Sequence, residues 1–263
     1  MNRIAHALTQ TRELFTIAFL VILFLGTGAV NPSFLSGDNI LLCLNGSVIY
    51  ILLAIGVSFV IITGDIDVSV GATLGLTAAV CATMIRDGSS LLAASVTALV
   101  IGLVNGLGVT KLHIPAIIMT LGVNGVVRGS IYVYTEGKWV ENLPPSFKSY
   151  GQITLAGFVN LFLLITVLIV IGIYLYINKA KNGKYFAAVG DNMGGATLIG
   201  IPVDRVRILA FVLSGVSAAL AGIVFASKVG FVTPTAGSGY EMKAIAPAGD
   251  LRLPGAQRPR PAR

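Results

Sequence analysis

Seven apolar runs, each long enough or nearly long enough to cross a bilayer as a helix, dominate this chain and constrain its fold more than any other feature. They cover 14–30, 40–63, 70–85, 91–109, 115–134, 155–177 and 208–226. Backbone polar groups in hydrocarbon must be satisfied internally, and a helix of about 20 mostly apolar residues does this unaided. The pattern predicts an all-α, polytopic transmembrane helix bundle with about seven spans. Composition agrees: 55% of residues are hydrophobic and only 11% charged, with a mean hydropathy of +0.88, against about 25% charged in ordinary soluble domains. The first run follows Arg3 and Arg12 and ends near Gly28 and Ala29, so a secretory leader is the alternative. Six further runs favour a retained first span.

The formal net charge of +7 is read first as topology, because basic residues collect on the cytoplasmic side of membrane proteins. With the N-terminus inside, Arg3, Arg12, Lys111, Lys179, Lys181, Lys184, Arg205 and Arg207 are cytoplasmic, and the minority Arg86, Lys138, Lys148 and Lys228 lie outside. Arg252, Arg258, Arg260 and Arg263 follow Ala246 and belong to no span. Membrane lipid is therefore the expected surroundings, and nucleic acid is not an expected partner. Cys43 and Cys81 fall inside runs, where a thiol acts as a small apolar group. His6 and His113 lack the neighbours that a metal or a general base would require, so no metal and no cofactor is expected.

Three segments between the runs carry the informative polar residues. The first, Gly64-Asp65-Ile66-Asp67-Val68-Ser69-Val70-Gly71, sets two carboxylates and a serine between spans. Asp67 or Ser69 could cap the next helix, where negative charge suits the dipole. The segment could equally line a transport route, because acids at membrane depth are expensive. The second, from Tyr134 to Lys148, holds Trp139, the only tryptophan, and reads as an external loop with an aromatic anchor or as a docking surface. The third, 178–207, has basic residues at both ends and a glycine-rich middle too polar to span. Its stretch 184–199 predicts a short surface helix ended before Pro202, either a connector or a helix seated in a partner's groove.

Within the runs, Arg128 stands out, since arginine at a span centre costs about 2.5–3.5 kcal/mol on the insertion scale. It lies nearer one end, and snorkelling or a helix-to-helix bond is favoured over a pore role. Asn45, Asn105, Asn124 and Ser214 are read as interhelical hydrogen-bonding groups. Asp67, Ser69, Asn105, Asn124 and Arg128 are thus the candidates for translocation or packing.

Catalytic motifs are missing from the sequence. Gly137-Lys138 is followed by Trp139 and Gly183-Lys184 by Tyr185, so no phosphate loop of the G-x-x-x-x-G-K-[ST] type exists. An aspartyl hydrolase needs two carboxylates sharing a proton. No second span supplies one opposite Asp65 or Asp67, so an enzyme is not expected.

The three segments carry a resemblance. Ile66-Asp67-Val68-Ser69-Val70-Gly71, Lys111 to Ala116 running into Thr120-Leu121-Gly122, Arg128-Gly129, Gly183, Ala188-Val189-Gly190, Asn192, Ala196, Gly200-Ile201 and Gly239 to Ala246 are similar to the permease subunits of ABC importers of the ribose and autoinducer-2 family. The resemblance implies a multi-pass protein of the cell inner membrane that provides a passage for a sugar-like molecule and no chemistry. It also implies cytoplasmic ATPase subunits, a second permease subunit and a periplasmic substrate-binding protein as partners. In that scheme 184–201 docks on the ATPase, and Gly183, Lys184, Tyr185, Gly190, Asn192, Ala196 and Gly200 are the docking residues. A secondary carrier or a structural membrane subunit remains the alternative.

Two departures accompany the resemblance. Met193-Gly194-Gly195 replaces an acidic, alanine-rich turn, and glycine costs about 1 kcal/mol against alanine in a helix, which predicts a weaker docking helix. After Ala246, Pro247, Pro254, Pro259 and Pro261 among four arginines replace a glycine-rich apolar continuation with further spans. The expectation is a permease domain over 1–246 lacking its C-terminal spans, an aberrant polar tail over 247–263 resembling frameshifted translation, and loss of transport; a natural disordered tail is the other reading.

Overall fold

The computed structural model describes residues 12–89, 92–155 and 159–248. All seven predicted runs fall on helices. These are α1 (Arg12–Val30), α2 (Gly37–Ile62), α3 (Val70–Arg86), α4 (Leu92–Thr110) and α5 (Ala116–Tyr134), then α7 (Leu161–Lys179) and α10 (Val203–Val229). Between and after them lie short helices: α6 (Pro145–Tyr150), α8 (Lys181–Asp191), α9 (Met193–Leu198) and α11 (Tyr240–Ala248). A two-residue antiparallel hairpin pairs β1 (Thr154–Leu155) with β2 (Val159–Asn160), Thr154 opposite Asn160. The protein is an all-α polytopic membrane bundle. Five described helices are long and apolar enough to span: α2, α4 from Ala93, α5, α7 and α10, while Ile17–Val30 and α3 are shorter apolar helices.

Some boundaries move for local reasons. The run predicted from residue 155 starts its helix only at Leu161, because the hairpin occupies its head. Asn160 then caps α7, its side chain accepting from the Phe162 amide at 2.9 Å. The last long run begins five residues early, at Val203, directly after Pro202. The polar tail expected from residue 247 onward lies, beyond Ala248, outside the described residues.

Two compact units divide at Gly46. Within the first, Phe24 of α1 packs on Phe34 of a single 3-10 turn, ring centroids 5.1 Å apart.

The second unit is organised around α10, which packs along α3 and α4. The α4–α10 seam is close because Gly102 and Gly106 leave room for the opposing backbone. A β-carbon at Gly102 would stand 2.6 Å from the Phe211 carbonyl oxygen, and one at Gly106 2.9 Å from Ile208 Cα. Small residues four apart are the usual means by which spans approach one another, since hydrocarbon offers no hydrophobic drive between helices. The exterior is apolar as well: Leu168 and Ile171 of α7 are exposed, as expected where the surroundings are lipid.

Pairings fix which helix ends lie together. Lys111 after α4 bonds Asp204 of α10 at 2.7 Å, and α8 lies against the ends of α2 and α7. These join the richly basic end. At the other end the loop after α5 meets the chain after α10, where Val140 and Val232 form a β-bridge and Trp139 stacks on Phe231 at 5.5 Å. The aromatic anchor is thus exposed on one face and seated on a second aromatic.

Candidate functional site

Residues 63–69 leave α2 without helical structure and climb along α10. Asp65 takes two bonds from Arg207, Nε to Oδ2 and Nη2 to Oδ1, each 2.8 Å. Two turns further along α10, Ser214 Oγ donates to Asp67 Oδ2 at 2.7 Å. Those turns correspond to about 10 Å of rise, so the two carboxylates of the motif act at different depths. They do not share a site.

Asp67 Oδ1 accepts from the Ser69 amide at 2.9 Å and from Ser69 Oγ at 2.7 Å. Asn105 of α4 donates through Nδ2 to Ser69 Oγ at 2.8 Å. The backbone of Val68 is held as well: its amide donates to Thr120 Oγ1 at 3.2 Å and its carbonyl accepts from Asn124 Nδ2 at 2.8 Å. A continuous polar seam therefore ties the non-helical link to α4, α5 and α10. Asp67 is only 2% exposed, and Ser69, Asn105 and Ser214 are buried too, so they open on no solvent in this conformation. Capping is not what these groups do, because Ser69 precedes α3 without a side-chain cap bond. Asp67 spends its bonds on Ser69 and Ser214 instead. Asn105, Asn124 and Ser214, expected to bond helix to helix, each bond the non-helical link instead.

Arg128 lies apart from this seam and does not snorkel. Its Nη1 donates to the Ala236 carbonyl at 2.6 Å and its Nη2 to that of Gly237 at 2.7 Å, with Glu241 at 3.7 Å. The chain after α10 packs against the start of α3, where the Gly237 and Ala236 carbonyls meet Gly71 and Gly75. Irregular backbone at membrane depth must be buried in protein or face water, and Arg128 satisfies two of its carbonyls. Tyr50 was not singled out from sequence, Tyr240 and Lys243 entered only within the resembling stretch 239–246, and the pairing of Asp65 with Arg207 was not foreseen. The signal for Tyr50 is a tyrosine in the middle of an apolar run.

The candidates of the third segment form an elbow of two helices in place of the single predicted one. Asn192 separates them, extended at φ −161°, its side chain accepting from the Gly195 amide at 2.9 Å. The glycines expected to weaken the helix thus lie in the capped first turn of α9. Gly200, at φ +81°, closes α9 with Gly200 N donating to Thr197 O and Ile201 N to Ala196 O, both 3.0 Å, a left-handed termination that glycine allows. Gly183 sits on the Tyr176 carbonyl and Gly190 on the Ile62 carbonyl. Buried Phe186 meets Phe59 at 5.1 Å, and Val189 and Ala196 are buried beside it. Lys184 is exposed and Tyr185 half-buried. Opposite these anchors, Leu198 is 90% and Ile199 75% exposed.

Residues 39–248 match the family described as branched-chain amino acid transport system / permease component. The chain is 43% identical to the autoinducer 2 import system permease protein LsrC of Enterobacter sp. (strain 638), covering 91% of this chain and 71% of that protein. The proteins of the same name from Salmonella typhimurium (strain LT2) and Escherichia coli O9:H4 (strain HS) are each 40% identical over 90% of this chain, and 69% and 70% of their own length is covered. No solved structure matches the chain. The family match and these identities together place the chain: it belongs to the branched-chain amino acid transport system permease component family.

Proposed function

We propose that this chain is the membrane-spanning subunit of an ATP-driven importer in the cell inner membrane, carrying autoinducer 2 or a related sugar-like molecule inward. The observation that carries the reading is the elbow of α8 and α9. Two large apolar side chains, Leu198 and Ile199, are presented almost fully exposed at the basic, cytoplasmic end. They sit on a base whose glycines and buried aromatics press against α2 and α7. Exposed apolar groups beyond the span ends cost free energy unless a partner covers them. A cytoplasmic ATPase subunit is that partner, and its closure would be passed through Gly190 and Phe186 to α2. The relatives named as autoinducer 2 import permeases support the substrate. A second permease subunit would complete the passage, and a periplasmic binding protein would deliver the molecule to the end bearing Trp139.

Co-purification tests the reading. The ATPase should remain with the unaltered chain and be lost on Ile199→Glu. It should also be lost on Asn192→Pro, because proline cannot adopt the Asn192 backbone angle and removes the cap. Retention by both variants would refute docking at the elbow.

A further inference from the structure

Tyr240, which opens α11, stacks on Tyr50 of α2 with ring centroids 5.1 Å apart and planes 18° from parallel. One turn on, Lys243 places its ammonium 5.4 Å from the Tyr50 ring centroid and 5.6 Å from that of Tyr240. Lys243 is exposed, and among the described residues no carboxylate pairs with it. Tyr50 stands midway along α2, about 20 Å from each end at 1.5 Å per residue. A hydrocarbon core is about 30 Å thick, so this lysine lies deep in the bilayer that α2 crosses. An ammonium there does not face lipid; charged groups at that depth face protein or water and mark pathways. The irregular chain just before α11, held by Arg128, obeys the same constraint.

We propose that Lys243 and the rings of Tyr50 and Tyr240 form a subsite within an aqueous passage for a small hydroxyl-bearing ring compound. This rests on the permease reading. The two rings stack on each other and the Phe225 ring meets Tyr240 with centroids 6.2 Å apart, so it is the ring edges beside the ammonium that such a compound would meet. The ammonium supplies three donors and no acceptor, suited to hydroxyl oxygens. Glu241 points away, toward Arg128 and Gly71, which leaves the Lys243 side uncompensated for a ligand to meet.

The test is aqueous access at Lys243 in the full chain, with Cys43 and Cys81 replaced by alanine. Lys243→Cys in membranes should react with a charged, water-soluble methanethiosulfonate at least tenfold faster than Leu168→Cys, a residue 59% exposed on the apolar helix α7. Excess autoinducer 2 should slow that reaction severalfold. A rate equal to that at Leu168, or one unchanged by autoinducer 2, would overturn the proposal. If Lys243→Cys does not accumulate, Lys243→Gln in the assembled importer should raise the KM for uptake about tenfold, with Lys243→Arg restoring it; an unchanged KM for Lys243→Gln would also overturn it. Failure of the ATPase to co-purify would remove the permease reading while leaving the labelling rates readable, so the two failures are separable.

Discussion

Arg207 grips both oxygens of Asp65, each bond 2.8 Å long and both side chains largely buried. The pair anchors the non-helical link between α2 and α3 to the N-terminal end of α10. Removing one partner strands the other charge, which costs about 3–5 kcal/mol in buried pairs. Asp65→Asn and Arg207→Met should each lower resistance to unfolding in detergent strongly. The double change Asp65→Leu with Arg207→Met should be milder than the sum of the singles, measured as a double-mutant cycle in denaturant.

Ser214→Ala removes the hydroxyl that Asp67 Oδ2 accepts from and leaves Ser69 in place. A buried polar acceptor deprived of its partner costs about 1–3 kcal/mol, and a loss of that size is expected in the same unfolding measurement. Ser130→Ala, whose hydroxyl bonds only its own helix at Val126 on the exposed face, should change stability little.

Gly190→Ala should unseat the elbow, because its β-carbon would run into the Ile62 carbonyl. Overpacking of this kind costs about 1–3 kcal/mol. Faster amide exchange across residues 181–198 would report it. Gly172→Ala on α7, with open space around it, should be neutral or gain up to about 1 kcal/mol from helix propensity.

Arg128→Lys should not substitute for arginine, since a single ammonium cannot reproduce the fork that spans the Ala236 and Gly237 carbonyls. Limited proteolysis across residues 231–239 should be enhanced in Arg128→Lys and more so in Arg128→Leu.

The spans were legible because apolar length is a local property, and each predicted run became a helix. The sequence could not say that Asp65 and Asp67 part company, because their partners Arg207 and Ser214 lie more than 140 positions away and are chosen by how α10 lies against the link. Asn192 was singled out through its resemblance, yet its work as the cap that splits α8 from α9 depends on one backbone angle. Gly183 and Gly190 likewise matter through carbonyls of other helices. Arg128 was recognised as a charge out of place, but its acceptors are backbone oxygens, which no pattern of side chains reveals. Lys243 entered only within the resembling stretch 239–246, because its place beside the Tyr50 ring follows from how α11 stacks on α2.

Cross-linking at the tip of the elbow tests the importer reading most directly. With native cysteines removed, Leu198→Cys should form a disulfide or bismaleimide link to a surface cysteine of the partner ATPase, while Leu168→Cys on α7 should not. Efficient linking at Leu198 alone is the expected result. No link from Leu198 to any ATPase surface cysteine, in a complex that is otherwise assembled, would contradict it.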